Sequence, residues 1–197
     1  IASELFTRTD WRRVEQEGTK SLCQFFAVFS RRLKFEDLDV KFAAVAADID
    51  SGEEVVLQQG PLFRAIAASA TVPGIHYPLR YGDRFLVDGG IVDKVPADVA
   101  LQLGAEVVIA VDVSAPLAEE VTSSIDVLTQ VEAITARELA RVKLERARER
   151  LGERLVLLRP KLEGISMLSL DRVSAAAREG EREACKHLAQ IKALLQA

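Results

Sequence analysis

Two cysteines, two histidines and one methionine are the only sulfur and imidazole side chains in this 197-residue chain. Cys23 and Cys185 show no C-x-x-C spacing, and neither has a histidine in metal-ligand register, so no zinc-type site and no metal is expected. Two lone thiols in a chain of this size read as small buried residues. No stretch reaches eighteen consecutive apolar residues. The longest uncharged run, Ala65 to Leu79, is broken by Pro73 and Gly74, which excludes it as a membrane-spanning helix. Basic charge is also in deficit: 26 Lys and Arg against 30 Asp and Glu give a net charge of -4, the opposite of a nucleic-acid footprint, so no nucleic acid is expected as a partner. A G-x-G-x-x-G fingerprint and a phosphate loop are both missing, which leaves a nucleotide-binding reading with fold-level analogy alone.

What remains is an ordinary globular composition, 49% hydrophobic and 28% charged, long enough for one sizeable core. The first 34 residues show apolar spacings of three and four, predicting two short helices separated at Gly18. Phe25, Phe26 and Phe29 read there as core packing, with a surface bordering an acyl chain as the functional alternative. Lys41 to Ala47 and Glu54 to Leu57 predict a hairpin around Asp48-Ile49-Asp50-Ser51-Gly52, whose acids read as turn residues rather than metal ligands. Pro61 then opens a helix with a thin surface of Ala65, Ala67, Ala68, Ser69 and Ala70, which Pro73 and Gly74 close.

A second small hairpin, Tyr77 to Tyr81 and Arg84 to Val87, delivers Asp88 into Gly89-Gly90. The carboxylate is expected at a strand end where backbone approaches closely and positive φ is permitted. Downstream, a helix over Ala97 to Leu103 leads to Glu106 to Val113, a Val/Ile-rich run that predicts an interior strand covered on both faces, with Asp112 as a structural residue at its end. A long helix from about Ser124 to Leu151 carries a mixed-sign second half that reads as solvated. A strand over Arg154 to Arg159 follows. The last helix, about Asp171 to Leu195, predicts a packing stripe of Val173, Ala177, Gly180, Ala184, Leu188, Ile191 and Leu195.

The run Ala65-Ile66-Ala67-Ala68-Ser69-Ala70-Thr71-Val72-Pro73-Gly74, then Pro78, then Val87-Asp88-Gly89-Gly90, resembles the second half of a patatin-like phospholipase domain. The resemblance covers roughly Lys41 to Pro116 well and the ends loosely. It implies an α/β fold of three layers, with a largely parallel central sheet and helices on both faces. It also implies that residues 1–197 form the C-terminal part of a single such domain. In that family the aspartate of the Asp-Gly-Gly/Ala motif is the second member of a Ser-Asp dyad, which makes Asp88 the implied catalytic acid. Gly89 and Gly90 support it, and Pro73, Gly74 and His76 are placed at the pocket wall. His76 reads there as lining rather than as a general base.

The family's nucleophile lies in G-x-S-x-G, a strained strand-to-helix turn that exposes the serine oxygen. No such motif occurs here. The nearest run, Gly164-Ile165-Ser166-Met167-Leu168, lacks the second glycine and follows Asp88 instead of preceding it, so it is set aside. A carboxylate, with an ordinary pKa of about 3.9, is too weak a base in water to take a serine proton, so the dyad depends on desolvation and on oxyanion donors. The chain begins at Ile1 and its one methionine is Met167, so a preceding segment of the same protein is expected to supply nucleophile and oxyanion loop. The resemblance thus implies an acyl hydrolase of (lyso)phospholipids or related esters, needing no cofactor and making peripheral membrane contact. It would lie in the cytoplasm or on the membrane's cytoplasmic face. A non-catalytic lipid-binding or assembly module that lacks the nucleophile is the alternative.

Overall fold

A computed structural model describes residues 11–114, 116–118, 120–165 and 170–196, and Ser166 lies outside them. The chain divides into two compact units between Val92 and Asp93.

The first unit begins with α1 (Trp11–Phe29), a single helix that runs through Gly18 where two were predicted. One interior glycine costs a helix only about 1 kcal/mol, less than packing returns. The chain leaves α1 through Arg31 and Arg32, both in the left-handed region at φ 50° and 58°. This conformation is costly for residues with a Cβ. It is held on its far side by Leu62 N–H donating to Leu33 O (3.0 Å) and Phe35 N–H donating to Gly60 O (3.2 Å).

Strand β1 (Ala44–Asp48) and β2 (Glu54–Leu57) form the predicted hairpin. Asp48 Oδ1 accepts the Asp50 amide at 3.1 Å, the turn role expected of it. Helix α2 (Leu62–Ser69) starts directly after Pro61, and its Ala65, Ala67 and Ala68 are fully buried. Then β3 (Leu79–Tyr81) and β4 (Arg84–Asp88) make the second hairpin. The sheet order is β2-β1-β4-β3, and every neighbouring pair is antiparallel. Its core joins Ala44, Ala46, Leu57, Leu79 and Leu86 of the sheet to Leu62, Ala65 and Ala68 of α2, with Leu22 and Phe26 of α1 packed against it. Phe26 thus packs against the core, whereas Phe25 and Phe29 are largely exposed, their tilted rings 4.7 Å apart between centroids.

The second unit contains α3 (Ala97–Gln102), β5 (Val108–Val111), α4 (Ser124–Leu151), β6 (Leu155–Leu158) and α5 (Val173–Gln196). Strands β5 and β6 pair in parallel, with Val108 opposite Leu155 and Val111 opposite Leu158. The α/β class is as expected. Among the described residues parallel pairing is confined to β5 and β6: β1–β2 and β3–β4 are antiparallel because short loops join them, and β1 and β4 also pair antiparallel across the intervening β2, α2 and β3.

Helix α4 starts on a capping box, Ser123 Oγ accepting from Asp126 N–H (3.1 Å) and Asp126 Oδ2 from Ser123 N–H (2.8 Å). Ala136, Ala140, Leu144, Ala147 and Leu151 form its buried stripe. Its charges lie outside, where Arg141 bridges Glu138 (2.9 Å) and Glu145 (2.8 Å), as a solvated face should.

Two expectations fail in this unit. Strand β5 alternates, with Val108 and Ala110 inside and Ile109 and Val111 exposed, so it is not covered on both faces. In α5, Val173, Leu188 and Leu195 are exposed. The half-buried face runs instead through Ala176, Gly180, Glu183, His187, Ile191 and Leu194, because Glu183 is drawn inward to accept the Arg159 amide at 3.4 Å. Among the described residues no helix is long and apolar enough to cross a membrane.

Candidate functional site

Asp88 closes β4 where the strand pairs with β1, directly opposite Ala46. Its amide donates to Thr71 O at 2.8 Å, tying the strand end to the segment that follows α2. Thr71 is fully buried, and its Oγ1 donates to Ala67 O at 2.6 Å, so the last turn of α2 positions the carbonyl that holds Asp88. The carboxylate caps the short 3-10 turn Gly89–Ile91: Oδ1 accepts the Gly90 amide at 2.7 Å. Among the described residues this is its one hydrogen-bond partner, and the side chain is half-buried.

Why glycine follows is now specific. A Cβ on Gly89 would fall 2.3 Å from Val45 O and 2.6 Å from Val45 C, inside any permitted contact, so only hydrogen fits against the β1 backbone. The expected close approach is therefore real at Gly89. Positive φ is not: neither Gly89 nor Gly90 lies in the left-handed region.

Pro73 and Gly74 are exposed in the turn after α2, and Gly74 has φ +83°. The turn is closed by His76 N–H donating to Val72 O at 2.9 Å. The His76 ring is half-buried, and its Nδ1 is out of solvent with no hydrogen-bond partner among the described residues. Asp88, Pro73, Gly74 and His76 line neither of two cavities present in the second unit.

Sequence reasoning did not find Thr71, whose neighbours are the small residues of an ordinary helix end. It also missed a buried ionic cluster. Asp93 is buried beside Lys143 of α4, with Oδ2 accepting from Nζ at 2.9 Å and Oδ1 accepting the Val95 amide at 3.2 Å. Asp98 stands 4.0 Å from the same ammonium. Burial, reinforced by Asp98 and opposed by Lys143, pushes the Asp93 carboxyl from 3.8 up to about 6. Asp112, read as structural, accepts Ser114 N–H (3.1 Å) and Arg159 Nε (3.3 Å). Burial pushes its carboxyl up, but those hydrogen bonds and the guanidinium outweigh it and hold it below its ordinary value. Among the described residues no group of His, Cys, Asp and Glu is arranged to hold a metal ion.

The strand-end aspartate thus caps a glycine turn packed against the hairpin backbone. Residues 13–101 match the family model described as patatin-like phospholipase. The chain is similar to an uncharacterized NTE family protein of Mycobacterium tuberculosis, at 39% identity over 79 residues, 40% of this chain and 22% of that protein. It is also similar to patatin-like phospholipase domain-containing protein 7 of Rattus norvegicus, at 36% identity over 98 residues, 49% of this chain and 7% of that protein. The chain thus spans about a fifth or less of the length of these relatives.

Proposed function

We propose that this chain supplies the acid half of a Ser-Asp dyad in a lipid acyl hydrolase that cleaves carboxylic esters of (lyso)phospholipids or related lipids. The observation that carries the reading is the Asp88 carboxylate. One oxygen is fixed by the Gly90 amide, and the other has no protein partner among the described residues. A base oriented by one hydrogen bond and open at its second oxygen can take a proton from an incoming serine hydroxyl. Anchoring by Thr71 O and by the Gly89 contact keeps the strand end from moving as it does so. The serine and the oxyanion donors belong, in this reading, to the remainder of the parent protein.

The test is ester hydrolysis by the full-length parent protein. Asp88→Asn keeps the Gly90 hydrogen bond and removes the base, so activity is expected to fall by about 10⁴, the loss typical when the acid of a serine hydrolase is neutralised. The isolated 197-residue chain is expected to hydrolyse nothing above background. Full activity in Asp88→Asn would remove Asp88 from the mechanism. A parent protein that binds lipid but hydrolyses no ester would instead establish the non-catalytic alternative.

A further inference from the structure

The second unit holds a cavity of about 550 Å³ that the acyl-hydrolase reading does not use. It opens where β5 and β6 end: Asp112 follows the last residue of β5, and Arg159 follows the last residue of β6. Carboxyl ends of parallel strands are where open α/β sheets receive ligands. Across from them the wall is α4, which contributes Arg137 and Arg141, and Lys161 comes from the segment after β6.

Charge decides what fits. Four cations and three carboxylates line the cavity. Two of those acids are already engaged, Asp112 by Arg159 at 3.3 Å and Glu138 by Arg141 at 2.9 Å, and Arg141 is also paired with Glu145, outside the lining, at 2.8 Å. Each pairing fixes its guanidinium while leaving further N–H donors free, since arginine carries five. Arg137 and Lys161 have no acidic partner among the described residues, and Glu163 alone opposes them. The floor contains buried Ala140 and Leu144, so a bound anion would meet these donors on a low-dielectric side.

We propose that this cavity is a binding site for a phosphate-class anion, a phosphomonoester or phosphodiester group. Arg137 and Lys161 provide the uncompensated charge, and the pre-positioned Arg159 and Arg141 provide oriented donors. Several tetrahedrally arranged oxygens with more than one negative charge use four cationic side chains lining one cavity better than a single carboxylate does. The site is independent of Asp88 and stands or falls apart from the hydrolase reading.

The experiment titrates the chain with inorganic phosphate by calorimetry. In parallel, it measures co-sedimentation with phosphatidylcholine vesicles with and without phosphatidic acid. Saturable binding is expected to at least one probe, weakened about tenfold or more in R137Q/K161Q, consistent with losing two charge-assisted contacts. The control K192Q, an exposed lysine of α5, is expected to bind as the unsubstituted chain does. Both variants alter exposed side chains, and circular dichroism verifies that they fold. Binding to free phosphate assigns a soluble phosphoester ligand, whereas binding only to vesicles containing phosphatidic acid assigns a lipid headgroup. The proposal is overturned if neither probe binds, if R137Q/K161Q binds as tightly as the unsubstituted chain, or if K192Q weakens binding equally.

Discussion

Asp88 and Asp93 stand five residues apart and are held by opposite means. Asp88 is half-buried in a turn where backbone does the holding: the Gly90 amide, Thr71 O and the Val45 backbone against Gly89. Asp93 is buried and held by a side chain, Lys143, from a helix fifty residues away in sequence. Backbone anchoring leaves the Asp88 carboxylate without a cationic partner among the described residues. Ionic anchoring consumes the carboxylate, because the charge that stabilises it also satisfies it. The same residue type is therefore left available in one unit and engaged by architecture in the other.

The largest way to break that contrast is at Asp93. Asp93→Ala removes the 2.9 Å partner of the Lys143 ammonium, and removal of one partner from a buried pair should cost about 3 kcal/mol in urea denaturation. The same variant tests the titration. A carboxyl raised in the folded state from 3.8 to about 6 binds its proton more tightly folded than unfolded. Its contribution to stability is therefore full below pH about 3.8 and declines as pH rises through about 6, opposite to a paired surface acid. That declining component should vanish from the stability-pH profile of Asp93→Ala.

Next comes Gly89→Ala. With the added methyl 2.3 Å from Val45 O, the turn and β1 must separate, and a loss of about 1–3 kcal/mol is expected, with esterase activity of the parent protein reduced as well. A smaller effect, about 1 kcal/mol, is expected for Thr71→Val, which removes the Oγ1 bond to Ala67 O but retains the carbonyl that binds Asp88. The smallest effect on stability, within about 0.5 kcal/mol, is expected for Asp88→Asn, since the amide oxygen still accepts from Gly90. An Asp88→Asn variant that unfolds as readily as Asp93→Ala would erase the distinction between the two acids.

Element positions were legible where local chemistry is strong. Pro61 before α2, the turn acids between β1 and β2, and the 28-residue span of α4 all follow from caps, breakers and periodicity. Faces were less legible. The stripe assigned to α5 was rotated because an apolar count does not foresee Glu183 turning inward toward the Arg159 amide. Strand β5 reads as a buried run, yet Ile109 and Val111 are exposed, since composition reports what a strand could bury and only its neighbours decide what it does.

The motif Val87-Asp88-Gly89-Gly90 by itself determined that an acid ends a strand and enters a glycine turn, because strand propensity and the break that follows it are local. Tertiary structure alone decided that Gly89 is needed for contact with Val45 rather than for its φ, that Thr71 carries the anchoring carbonyl, and that Asp93 meets Lys143. These depend on segments brought together across 44, 17 and 50 residues, and no local pattern encodes which distant side chain or backbone atom a folded chain places within 3 Å.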